Sequence, residues 1–118
     1  AYAFNGSLLG WVTTALTNCS LMFRNARVFN QPINHLDLSG CSNMSRFLNG
    51  AYRFNQPMNL LDTSSITNMG NMLEAAQDFD QDISMWDVSL IPSLPSNFNT
   101  NGAPLTPAYF PVWGTDGT

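Results

Sequence analysis

The sequence predicts an α/β repeat solenoid, built from right-handed coils of 25 residues, each a short parallel strand plus a short helix. Two observations carry the prediction. Phe4, Phe29, Phe54 and Phe79 recur at a spacing of 25, and whole columns of residues keep the same register. Within one unit the apolar spacing then switches from alternation to a three-and-four pattern. Self-similarity at a fixed period marks stacked repeat architectures.

The columns extend well beyond phenylalanine. Leu8, Ile33, Met58 and Ile83 align, as do Trp11, Leu36, Leu61 and Trp86. Asn18, Asn43 and Asn68 form another column, and Ala26, Ala51 and Ala76 a further one. Units therefore start at Phe4, Phe29, Phe54 and Phe79, and the repeat domain is read as residues 1–91.

The strand comes first in each unit. Ile33, Leu36 and Leu38 follow the L-x-x-L-x-L spacing of leucine-rich repeats. Leu36–Ser39 reads as a strand with Leu36 and Leu38 inward and Asp37 outward. The helix follows. Met44, Phe47, Leu48 and Ala51 lie at spacings of three, one and three, the apolar face of a short helix. Met69, Met72, Leu73 and Ala76 repeat it, as do Cys19, Met22, Phe23 and Ala26. Thr17, Ser42 and Thr67 stand where N-caps belong, and Gly50 fits a helix exit. One unit alone buries too little apolar surface, so stacked units share a core.

Regularity ends near Ile91. Pro92 and Pro95 fall where a fourth helix belongs, and proline breaks a helix interior. Residues 92–118 read as an irregular Pro-rich C-terminal cap, with Phe98, Leu105, Tyr109, Phe110, Val112 and Trp113 covering the end of the core.

Composition narrows function. The 118 residues carry only 10% charged side chains, against about 25% in ordinary domains. A net charge of −4 argues against nucleic acid as a partner. No apolar run reaches the length of a membrane span. The absence of an initiator Met and of a signal sequence suggests a processed product or a piece of a larger polypeptide.

The chemistry-bearing residues are few. Cys19 and Cys41 fall in core columns, where free cysteine acts as a small hydrophobe. His35 lies beside the strand, facing outward as a solvated side chain. Asp37, Asp62 and Asp87 are expected to stack along the exposed strand face, about 5 Å apart. Like charges so placed repel. Hydrogen bonds from Ser39, Ser64 and Ser89, raised pKa values, or a cation such as Ca²⁺ would offset the repulsion. No metal, cofactor or catalytic residue is assigned. Leu60 and Met85 share the column of His35, next to the aspartates. His35, Asp37, Leu60, Asp62, Met85 and Asp87 are the candidate binding residues, with Arg46 and Tyr52 as further variable positions.

The phrase F-N-Q-P/D-I-x-x-W/L-D-x-S-x-V/I-T-N-M-x-x-M-F/L-x-x-A, spanning residues 4–91, resembles the repeat of BspA-like leucine-rich-repeat bacterial surface proteins. The tail Pro111-Val112-Trp113-Gly114-Thr115 is similar to the closing segment of such proteins. Related tails often carry a cysteine pair where this chain has Asp87 and Asp116, so that disulfide is absent here. The resemblance implies an extracellular, cell-surface or virion-borne interaction or adhesion module that meets a protein or glycan surface. The alternative is a structural subunit or spacer built permanently into a larger assembly.

Overall fold

The computed structural model describes residues 3–118. Successive 25-residue layers, beginning at Phe4, Phe29, Phe54 and Phe79, lie against one another in register. Phe29 and Phe54 stack at 5.8 Å between ring centroids and Phe54 and Phe79 at 6.1 Å, with ring planes within 8°. Phe4 continues the column at 5.5 Å from Phe29. Phe29, Phe54, Phe79, Ile33, Met58, Ile83, Leu38 and Val88 are fully buried, so the columns form one continuous core. Burying one such side chain is worth about 1.5–3 kcal/mol.

The predicted strand-plus-helix construction does not form, and the leucine-rich-repeat-like α/β solenoid is thereby corrected. Among the described residues the only helix is a three-residue 3-10 turn, Pro107–Tyr109. Extended pairing among the described residues is confined to isolated parallel bridges, Asn18 to Asn43 and Asn43 to Asn68. Each layer is instead a succession of tight turns.

The expected helices fail for a backbone reason. Leu21, Asn25, Arg46, Gly50, Asn71 and Ala75 all adopt positive φ, between 55° and 74°. A left-handed residue every fourth position interrupts any α-helix. Each of Asn25, Arg46, Gly50, Asn71 and Ala75 occupies the third position of a turn, as in Leu48 C=O accepting from Ala51 N–H at 3.0 Å. This is the position at which type II turns require positive φ. Alternate N–H groups then point sideways to the next layer. Met44, Arg46, Leu48 and Gly50 donate to Asn68, Gly70, Met72 and Glu74 at 2.8–2.9 Å. The backbone is thus satisfied half by turns and half by the neighbouring layer. Thr17, Ser42 and Thr67 cap no helix. They form a column, with Ser42 N–H donating to Thr17 C=O and Thr67 N–H to Ser42 C=O.

The expected strand fails differently. Leu36 and Leu38 are buried and Asp37 is exposed. However, Asp37 N–H donates to Thr13 Oγ1, whose hydroxyl donates back to Asp37 C=O, both at 2.9 Å. One side-chain hydroxyl replaces two backbone rungs, and the turns Ile33–Leu36 and Leu38–Cys41 close on either side.

The C-terminal segment lies on the layer begun at Phe54 and on the start of the last layer. Leu73 and Ala75 donate to Phe98 and Thr100, Ile83 to Tyr109, and Val88 to Thr115. Phe98 and Leu105 are buried, and Phe98 meets the Trp113 ring edge-on at 5.1 Å. Tyr109 and Phe110 pack partly buried against the core, whereas Val112 remains 65% exposed and covers nothing.

Candidate functional site

The polar letters of the repeat are largely consumed internally. Asn5 Oδ1 accepts Asn30 N–H, Asn30 Oδ1 accepts Asn55 N–H, and Asn55 Oδ1 accepts Asp80 N–H, at 2.8–3.0 Å. Gln31, Gln56 and Gln81 each donate Nε2 to the same asparagine of the preceding layer. Asn43 acts locally instead, its Oδ1 accepting Ser45 N–H at 2.9 Å. These residues bind layer to layer and leave little free for a ligand.

The aspartates are closed onto their own turns. Asp37 Oδ1 accepts the Ser39 hydroxyl at 2.5 Å and Ser39 N–H at 3.0 Å. Asp62 does the same with Ser64, and Asp87 with Ser89. Asp116 repeats the motif with Thr118 in the tail. The Ser39 hydroxyl, aided by its N–H, holds the Asp37 carboxyl below the ordinary carboxylate range. Local hydrogen bonding from the serine two residues on is thus present at each aspartate of the row, as the first of the expected offsets requires. Among the described residues no cluster of three His, Cys, Asp or Glu side chains has the arrangement of a metal site.

His35 is not simply solvated. Its Nε2 lies 2.8 Å from Leu8 C=O in the preceding layer. A carbonyl only accepts, so Nε2 carries the proton in this contact. Trp86 makes the equivalent reach, donating Nε1 to Met58 C=O at 2.9 Å. The nitrogen is engaged in joining layers, while the ring remains exposed.

Leu60 and Met85 continue the His35 column outward, at 72% and 39% exposure. Leu60 is held by its N–H, which donates to Asn34 Oδ1 at 2.8 Å. The six candidate residues thus recur on successive layers, as a row of His35, Leu60 and Met85 beside a row of closed aspartates. Of the other variable positions, Tyr52 carries the Arg27 guanidinium over its ring at 5.5 Å, and Arg46 is exposed on a left-handed turn.

Sequence reading missed one concave feature. A cleft of about 310 Å³ opens between Thr67–Gly70 and residues 91–96. Its signal in the sequence is Pro92, read only as a helix breaker.

Cys19 and Cys41 are both buried and free. Burial pushes the Cys19 thiol well up, helped by the neighbouring Cys41 thiol, and burial raises Cys41 as well. Neither has the lowered pKa of a reactive cysteine. Among the described residues no helix is long and apolar enough to cross a membrane.

No curated protein and no solved structure matches the chain. One family does, described as Mycoplasma protein of unknown function, DUF285, and its match runs over residues 1–105. With nearly the whole length covered, from the first layer into the C-terminal segment, the chain belongs to the DUF285 family.

Proposed function

We propose that this chain is a non-enzymatic interaction or adhesion module of a surface-exposed or virion protein, acting outside the cell. The observation that carries the reading is the row His35, Leu60 and Met85, exposed on a layered body whose other repeated polar groups are already bonded. Exposed apolar side chains beside carboxylates suit a protein or glycan surface. The BspA-like repeat phrase and the Pro111–Thr115 tail support the same location. A non-catalytic reading is supported by His35 Nε2 being taken up by Leu8 C=O, and by each aspartate of the row being closed onto its own serine.

The test compares the native chain with a Leu60→Asp, Met85→Asp variant in glycan-array and cell-binding assays. Native binding, lost in a variant of unchanged melting temperature, supports the proposal. No binding by the native chain, together with stable co-purification in a large particle, overturns adhesion in favour of assembly.

That second reading, a structural subunit, rests on Leu9, Trp11 and Val12. These side chains stand exposed on the first layer, whereas the later members of the Trp11 column, Leu36, Leu61 and Trp86, are buried. An apolar end of this kind favours permanent association.

A further inference from the structure

Two backbone rungs recur where each layer enters its run of turns. The first is a column of N–H groups donating downward: Ser42 to Thr17 C=O at 3.0 Å and Thr67 to Ser42 C=O at 2.8 Å. The second runs upward: Cys19 N–H to Asn43 C=O at 3.0 Å and Met44 N–H to Asn68 C=O at 2.8 Å. The next members fall at positions 92 and 93. Position 92 is proline, which has no N–H to give to Thr67 C=O. Among the described residues, Met69 N–H also makes no bond to residue 93 or to any other group.

The ladder resumes one residue late. Leu21 and Arg46 donate 24 residues ahead, to Ser45 and Gly70, whereas Asn71 donates 25 ahead, to Ser96. The extra residue bows the Pro92–Ser96 loop away from the layer beneath. The cleft of about 310 Å³ lies in this gap, with Thr67, Asn68, Met69 and Gly70 on one wall and the loop on the other.

We infer that this cleft binds an extended, uncharged peptide segment of a partner protein, which supplies the missing rungs. Its amide N–H donates to Thr67 C=O, and the C=O of its next residue accepts Met69 N–H. The occupant is set by the layers below, where adjacent residues of one chain, Ser42 and Asn43, fill the equivalent places. An unpaired main-chain donor and acceptor in this register are the template for strand addition. The lining contains no ionisable side chain, which fits a neutral segment. The volume lies at the small end of ligand-sized clefts, so the segment is short. Pro92 and Pro95 stiffen the far wall and offer no N–H to compete. The cleft shares no residue with the His35, Leu60 and Met85 row, so it stands or falls independently of that surface.

Nitrogen-15 NMR of the whole chain tests this. The probe is the blocked tripeptide acetyl-Ser-Asn-Met-amide, copying Ser42–Met44, with a counterpart methylated on its serine nitrogen. The Met69 amide is expected to shift saturably and exchange more slowly with the first peptide. The methylated peptide, lacking the donor for Thr67 C=O, is expected to bind about tenfold more weakly. Pro92→Ser returns an N–H to the chain itself and is expected to protect Thr67–Met69 and abolish peptide binding. The inference is overturned by an unmoved Met69 amide at about 10 mM peptide, by equal binding of the two peptides, or by unchanged binding to Pro92→Ser.

Discussion

Asn30 Oδ1 accepts Asn55 N–H at 3.0 Å across one layer boundary, and the same oxygen takes Gln56 Nε2 at 3.1 Å. One side-chain oxygen therefore fixes both the backbone and the glutamine of the next layer. The motif changes chemistry only at the last layer, where Asp80 Oδ1 accepts Thr106 N–H at 3.3 Å.

Asn30→Ala is expected to cost about 1–2 kcal/mol, two net hydrogen bonds at an exposed position. Asn30→Asp keeps the acceptor and is expected to cost well under half as much. Urea unfolding of the two variants checks this, and equal losses would show that the oxygen is not the stabilising atom.

Gly50 and Ala75 occupy the same column at positive φ, 74° and 59°. A Cβ on Gly50 would also stand 2.7 Å from Asn25 Oδ1. Gly50→Ala is expected to destabilise by about 1–2 kcal/mol. Ala75→Gly relieves the left-handed penalty at some cost in chain entropy and is expected to gain about 0.5 kcal/mol. Opposite shifts in melting temperature confirm that turns, not a helix, occupy these residues.

Asp37 and Asp116 each accept a hydroxyl and an N–H from the residue two places on, Asp82 accepts Ser84 N–H, and all three are lowered from the ordinary value of 3.8. A depressed folded pKa means the unfolded chain binds protons first as pH falls. The stabilisation is then complete above the unfolded value and is lost as pH drops through the folded one. Melting temperature is expected to hold above about pH 5 and to fall below about pH 4. Ser39→Ala should flatten part of that acid-side fall, because hydroxyl donation is the largest cause at Asp37.

The Cys19 and Cys41 thiols, buried and raised in pKa, are expected to resist iodoacetamide at mildly alkaline pH in the native state. Both should be alkylated after denaturation, as read by mass spectrometry. Rapid labelling of the native chain would show that the first two layers separate.

The sequence by itself determined which side chains of the inner layers face the core, though not that Trp11 and Val112 stay outside it. Phe29, Ile33, Leu36 and Leu38 repeat at fixed positions, are buried together, and leave Asp37 outside. Serine closure of the aspartates was legible too, because Asp37 and Ser39 are close enough to bond locally. The local backbone was not. Met44, Phe47, Leu48 and Ala51 satisfy a helical face and a run of turns equally well, since both return a side chain inward every three or four residues. Asn25, Gly50 and Asn71 are residue types that tolerate the left-handed region, yet Leu21, Arg46 and Ala75 adopt the same φ without any such preference. Only the neighbouring layer, offering C=O groups to alternate N–H groups, makes that backbone the better one. The cleft was decided at the same level. Pro92 shows in the sequence that a donor is absent, but the tertiary register alone shows that Thr67 C=O is the acceptor left waiting for it.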